Sequence, residues 1–102
     1  MAIDFQRQRF SFPSHSGSAQ NQEHTFVFGT NVIKAEAAIN GFNFGFSSSD
    51  HHLFRQEVDA VVTGITLNTV RVRVNFALRD SSGVFDDKYD GFVDVMLIVN
   101  RV

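Results

Sequence analysis

Cysteine and tryptophan are absent, and proline occurs once, as Pro13. Without cysteine there is no disulfide, no thiol nucleophile and no zinc site built on thiolates. A cysteine-free chain suits a reducing compartment, although it folds in any. With its one proline near the N-terminus, the later chain keeps a backbone donor at every strand position. Charge of one sign is not in excess. The formal net charge is -2, which argues against a nucleic-acid or anionic-membrane partner held by electrostatics alone. The opening Met-Ala-Ile-Asp-Phe-Gln-Arg lacks the apolar core of a signal peptide, and no apolar run is long enough to span a bilayer. The expectation is a soluble, cytoplasmic protein with no nucleic-acid or membrane partner.

What is present points to strands. A hydrophobic content of 43% in 102 residues suffices for one packed core, and twelve Phe against one Tyr favour β-structure. The plainest segment is 70–78, Val-Arg-Val-Arg-Val-Asn-Phe-Ala-Leu, in which Val70, Val72, Val74, Phe76 and Leu78 share one face. Strict alternation of this kind marks a strand with one side in a core. Arg71 and Arg73 lie on its other side, where cross-strand acids such as Glu57 or Asp59 would pair with them.

The remaining chain yields strand signals of varied clarity. In 3–12 the apolar phase changes from Ile3 and Phe5 to Phe10 and Phe12, which predicts a bulge near Arg7-Gln8-Arg9 or two short strands. Residues 13–23 are small and polar, and read as a surface loop; 25–29 read as a short strand. Segment 32–46 is either a hairpin turning at Asn40-Gly41 or one long strand bulged there, with a short helix before Asn40 as a third reading. A polar turn at 47–52 follows, then a strand over 56–67 in which Gly64 suggests a bulge, hairpinned to 70–78. A second polar loop covers 79–90. The last strand, 92–99, is apolar on both faces apart from Asp94, so it is central in its sheet or covered by another subunit. Five to seven such strands in about 100 residues predict an all-β chain, an antiparallel β-sandwich of about six strands. One domain spans 1–102, with an N-terminal strand and polar loop (1–24) before the core (25–102). Apolar residues on both strand faces in so small a domain favour a homo-oligomer.

Motifs of chemistry are few. The loop Asp86-Asp87-Lys88-Tyr89-Asp90-Gly91 has acids at the first and fifth positions of a calcium loop and glycine at the sixth. Lys88 at the third position and Leu97 at the twelfth exclude an EF-hand. A looser calcium site from Asp80, Asp86, Asp87 and Asp90 stays open beside the plainer reading, a solvated loop near Lys88 and Arg79. His51 and His52 adjoin Asp50, but neighbours on an extended chain point to opposite faces and chelate poorly. No nucleophile elbow, phosphate-binding loop or dinucleotide fingerprint occurs, and a domain of this size has little room for a deep pocket. Neither an enzyme nor a cofactor or metal is expected.

The order of these features resembles the H-type lectin domain of snail agglutinins and discoidins. The resemblance runs over 25–99: Phe26-Val27-Phe28, the aliphatic 32–39, the polar turn 47–52, a strand led by Arg55, the alternating 70–78, a polar loop ending at Tyr89, and an aliphatic last strand. It implies a six-stranded antiparallel sandwich, assembly as a trimer or a multiple of one, and binding of a glycan near subunit junctions. By that likeness Arg55 would contact sugar, and the loop from Asp80 to Tyr89 would supply polar and aromatic contacts. The ligand-binding candidates are therefore Arg55, Asp50, His52, Asp80, Asp86, Asp87 and Tyr89. One departure is plain: Leu78-Arg79 stands where the family has tryptophan, which leaves Tyr89 as the one polar aromatic.

Overall fold

The computed structural model describes residues 1–47, 53–80 and 87–102, the side chains of Leu53, Phe54 and Asp80 excepted. The described chain is built of strands: β1 (Ala2–His15), β2 (Gln20–Val27), β3 (Val32–Phe46), β4 (Leu53–Thr66), β5 (Thr69–Asp80) and β6 (Tyr89–Arg101). They form two antiparallel three-stranded sheets, ordered β1-β6-β3 and β2-β5-β4. The two sheets make a β-sandwich about 49 Å long and 19 × 18 Å across.

The core lies between the two central strands. From β5 come Val70, Val72, Val74, Phe76 and Leu78; from β6 come Tyr89, Val93, Val95, Leu97 and Val99, all buried. Alternation on β5 fixes this directly, because a one-residue slip would turn five large side chains to water. Phe10 and Phe12 from β1, Phe26 from β2 and Phe28 beyond it close the remaining gaps; Phe12 stacks on Phe76 with centroids 4.6 Å apart. The last strand is thus central in its sheet, the first of the two alternatives its apolar pattern allowed.

Several local expectations are corrected. No bulge interrupts β1 at Arg7-Gln8-Arg9: it pairs with β6 without a slip from Ala2 to Phe12, and the register shifts only beyond Phe12. The change of apolar phase has another cause. Ile3 and Phe5 lie on the outer face and Phe10 and Phe12 on the inner one, while the inward Gln6 donates to the Val27 carbonyl at 2.7 Å. The stretch 13–23 is not one loop, because strand continues to His15 and resumes at Gln20, leaving 16–19 as the connection. β2 is polar because it is an edge strand: Gln20, Gln22 and His24 face inward only half-buried, and its register is imposed by apolar β5.

Segment 32–46 is a single long strand with a bulge between Ile39 and Gly41, and helix is absent from it. The bulge expected at Gly64 is present, between Val62 and Gly64. Gly64 has its own reason: a Cβ there would meet Arg71 Nη2 at 2.9 Å, so the bare backbone gives the guanidinium room to lie flat. The β4–β5 hairpin turns through Leu67, which takes a positive φ of 54°. On the outer face of this sheet Arg73 pairs with Glu23 at 3.1 Å and Arg79 with Glu57 at 3.1 Å, while Asp59 accepts from Asn75. Cross-strand acids do neutralise that face, but Glu23 on β2, outside the pair expected, takes Arg73.

Candidate functional site

Antiparallel up-and-down strands place alternate connections at alternate ends. The 16–19 connection, the last residues of β3 and β5 and the first residues of β4 and β6 therefore share one end of the sandwich, opposite the end that carries the β2–β3 and β4–β5 turns. Segments far apart in sequence meet there because β1, β3 and β5 all finish at this end and β2, β4 and β6 all begin there. Main-chain pairing ties them: the Ser47 amide donates to the Lys88 carbonyl at 2.8 Å.

Side chains extend that tie into a polar chain. Ser47 Oγ donates to Asp90 Oδ2 at 2.7 Å and lies 2.7 Å from Ser14 Oγ. A hydroxyl has one proton, so with Ser47's committed to the carboxylate, Ser14 is the donor in the second bond. Asp90 keeps further lone pairs for a ligand. His15 Nε2 bonds Ser18 Oγ at 2.9 Å close by. The arrangement offers hydroxyls, a carboxylate and an imidazole on a rigid sheet end, a set suited to hydrogen-bonding a polar ligand.

The residues singled out from sequence divide into three groups. Arg55 is exposed, on β4 opposite Arg79, next to this end, and Asp87 is half-buried just before β6. The Asp80 backbone ends β5 opposite Leu53; Asp50, His52, Asp86 and the Asp80 side chain lie outside the described residues. Tyr89 is corrected in role. Its relative exposure is 0%, its ring packs 5.5 Å from Phe76, and its hydroxyl donates to the Ser18 carbonyl at 2.6 Å. A ring without exposed surface has no face to stack on a sugar. Burial pushes its phenol above the ordinary range. Among the described residues, no group of three or more His, Asp or Glu is placed to hold a metal ion.

A concave feature elsewhere went unread in the sequence. On the outer face of β1-β6-β3, a hollow of about 230 Å³ is lined by Arg7, Gln8, Arg9, Asn40 and Asp94. Arg9 bonds Asp94 through two nitrogens at 2.8 and 3.0 Å, and its guanidinium carbon sits 3.8 Å above the Phe92 ring. The hydrogen bond from Arg9 holds the Asp94 carboxyl below its usual range, with Arg7 adding to the effect. The signal available in sequence was Asp94 itself: a lone acid in an apolar strand requires a cation across the ladder.

No family model, curated protein or solved structure matches the chain.

Proposed function

We propose that the chain is a non-catalytic, lectin-like carbohydrate-binding module that works as a homo-oligomer. The observation that carries this reading is the convergence at one end of the last residues of β1 and β3 and the first residues of β4 and β6, where Ser14, Ser47, Asp90, Asp87 and Arg55 lie. Sugar hydroxyls pair donors with acceptors at short spacing, and this set supplies both. With Tyr89 in the core, recognition would be polar, through Arg55 and the acids, and individually weak. Repetition in an oligomer, a trimer or a multiple of one, would raise it by avidity. Oligomerisation is supported by exposed apolar side chains grouped on the outer face of β1-β6-β3: Ile3 at 71%, Phe5 at 63% and Ile98 at 39%, with Phe5 directly opposite Ile98. A glycan array probed with the intact protein, with Arg55→Ala as control, tests the binding; a blank array at high protein concentration refutes it.

The same apolar face favours a second reading, a structural subunit of a larger assembly without sugar binding. It predicts a stable oligomer by light scattering whose melting is unmoved by sugars. The two readings part on the array.

A further inference from the structure

We propose that the hollow at the β3 bulge is a second ligand site, one that takes a small carboxylate-bearing molecule through Arg7. It stands whether or not the loop end binds a glycan, since the two share no residue.

The hollow follows from register. Across the sheet, one row reads Arg9, Asp94, Gly41, so two strands present side chains and the third presents none. A Cβ at Gly41 would meet nothing within 4 Å, which leaves open space beside Asp94. The bulge between Ile39 and Gly41 inserts Asn40, whose side chain joins the rim. Both devices sit on β3, and together they turn a flat strand edge into a concavity.

Its electrostatics select the ligand. Arg9 is committed: two hydrogen bonds tie it to Asp94 and Phe92 lies beneath it. That pair forms a fixed, internally neutral wall. Arg7 is different. Among the described residues its guanidinium makes no hydrogen bond or ion pair, though it is close enough to Asp94 to act on its titration. Two guanidiniums against one carboxylate leave the hollow one positive charge in excess. A guanidinium's parallel N–H pair matches the two oxygens of a carboxylate. The Asn40 amide adds a donor and an acceptor for a neighbouring polar group. A neutral ligand would gain the amide contacts and forgo the charge.

The test is an amide chemical-shift titration of isotope-labelled protein at fixed ionic strength, with sodium glucuronate, sodium acetate and glucose as separate probes. Expected are saturating shifts at Arg7, Asn40 and Gly41 with both carboxylates and not with glucose, with a glucuronate dissociation constant on the order of millimolar. Acetate separates recognition of the carboxylate alone from recognition of a sugar acid: shifts with both probes support the site. Arg7→Gln removes the charge and keeps a polar side chain at an exposed position, and should weaken glucuronate by about tenfold or more. Gly41→Val fills the hollow with a strand-favouring side chain and should abolish the shifts while the rest of the spectrum stays folded. Equal shifts with glucose, shifts confined to Ser47, Lys88 and Asp90, persistence in both variants, or no shift at all would overturn the proposal.

Discussion

Replacing Gly91 by alanine should damage this protein more than any exposed substitution. Gly91 sits in β6 opposite Phe12 on one side and Phe44 on the other, with φ at +153°. A Cβ there would lie 2.2 Å from the Asn43 carbonyl oxygen and 2.5 and 2.6 Å from Phe44 Cβ and Cα. All three are backbone or backbone-fixed atoms, so no rotamer change relieves the contact; β3 must move away from β6 by roughly an ångström. Holding a side chain in that backbone region costs about 1–3 kcal/mol. Each ladder hydrogen bond loosened by the displacement adds about 1 kcal/mol, and the strand shift touches at least a pair. A loss of about 3–5 kcal/mol results, against a total stability of about 5–15 kcal/mol for a domain of this kind. At about 4–8 °C per kcal/mol, the melting midpoint should fall by 12 °C or more. The matched control is Gly45→Ala, one row along on β3, where a Cβ meets nothing within 4 Å and φ is not positive. Relief of glycine's entropy there should leave stability level or raise it by up to about 1 kcal/mol. Far-UV circular dichroism follows the sheets, and the near-UV signal of the chain's single tyrosine, Tyr89, follows the core independently. Equal midpoints for the two variants would refute the close-approach argument.

Three further outcomes are expected. Tyr89→Phe should cost about 1 kcal/mol at neutral pH, for the bond to the Ser18 carbonyl, and should change the alkaline limb. The folded phenol is raised above an unfolded value of about 10, so the wild type is at full stability below that pH and loses it as pH climbs through the folded value. Midpoints measured between about pH 9 and 12 should therefore converge for wild type and variant, and parallel curves would speak against the buried hydroxyl. Leu97→Ala, at a fully buried site, should cost about 2–5 kcal/mol in urea unfolding, whereas Arg73→Ala should cost less than about 1 kcal/mol, its pair with Glu23 being half-exposed. If the chain assembles through this face as proposed, Phe5→Lys should leave the circular dichroism unchanged and lower the mass seen by light scattering; an unchanged oligomer mass would refute a contact at the outer face of β1-β6-β3, and a monomer mass for the unaltered chain would refute assembly itself.

What could be read from sequence was whatever a buried face repeats. β5 declared itself because five inward side chains are Val, Phe or Leu and the outward ones are mostly polar, so period and chemistry agree. β6 was legible as a strand, and apolar residues on both its faces left two alternatives, a central place or a covering subunit, of which the sheet order shows the first. β2 was hidden, since Gln20 to Glu23 carry no apolar pattern: an edge strand inherits its conformation from the backbone it pairs with, and side-chain periodicity does not record that. β1 misled for the opposite reason. Ile3 and Phe5 mimic core positions while facing outward, and a model that assigns all large apolar residues to one core must invent a bulge to accommodate them.

The sites were less legible than the strands because they are made by juxtaposition across sequence. Ser14 and Ser47 are unremarkable until β1 and β3 end side by side, and Asp94 acquires a role only when β1 brings Arg9 to it from 85 residues away. Tyr89 shows the limit most clearly. Next to an acidic loop it reads as a sugar platform, yet β6 begins beneath the 16–19 connection, and the Ser18 carbonyl gives the hydroxyl the partner that makes burial affordable. Once the ring is spent on the core, an end that recognises a ligand must do so with hydroxyls, carboxylates and guanidiniums. Such groups bind weakly one at a time and compete with water at every contact. Under the proposed lectin-like reading, that physical constraint gives the exposed apolar face its part: several copies held together at Ile3, Phe5 and Ile98 would turn weak polar ends into one useful binder.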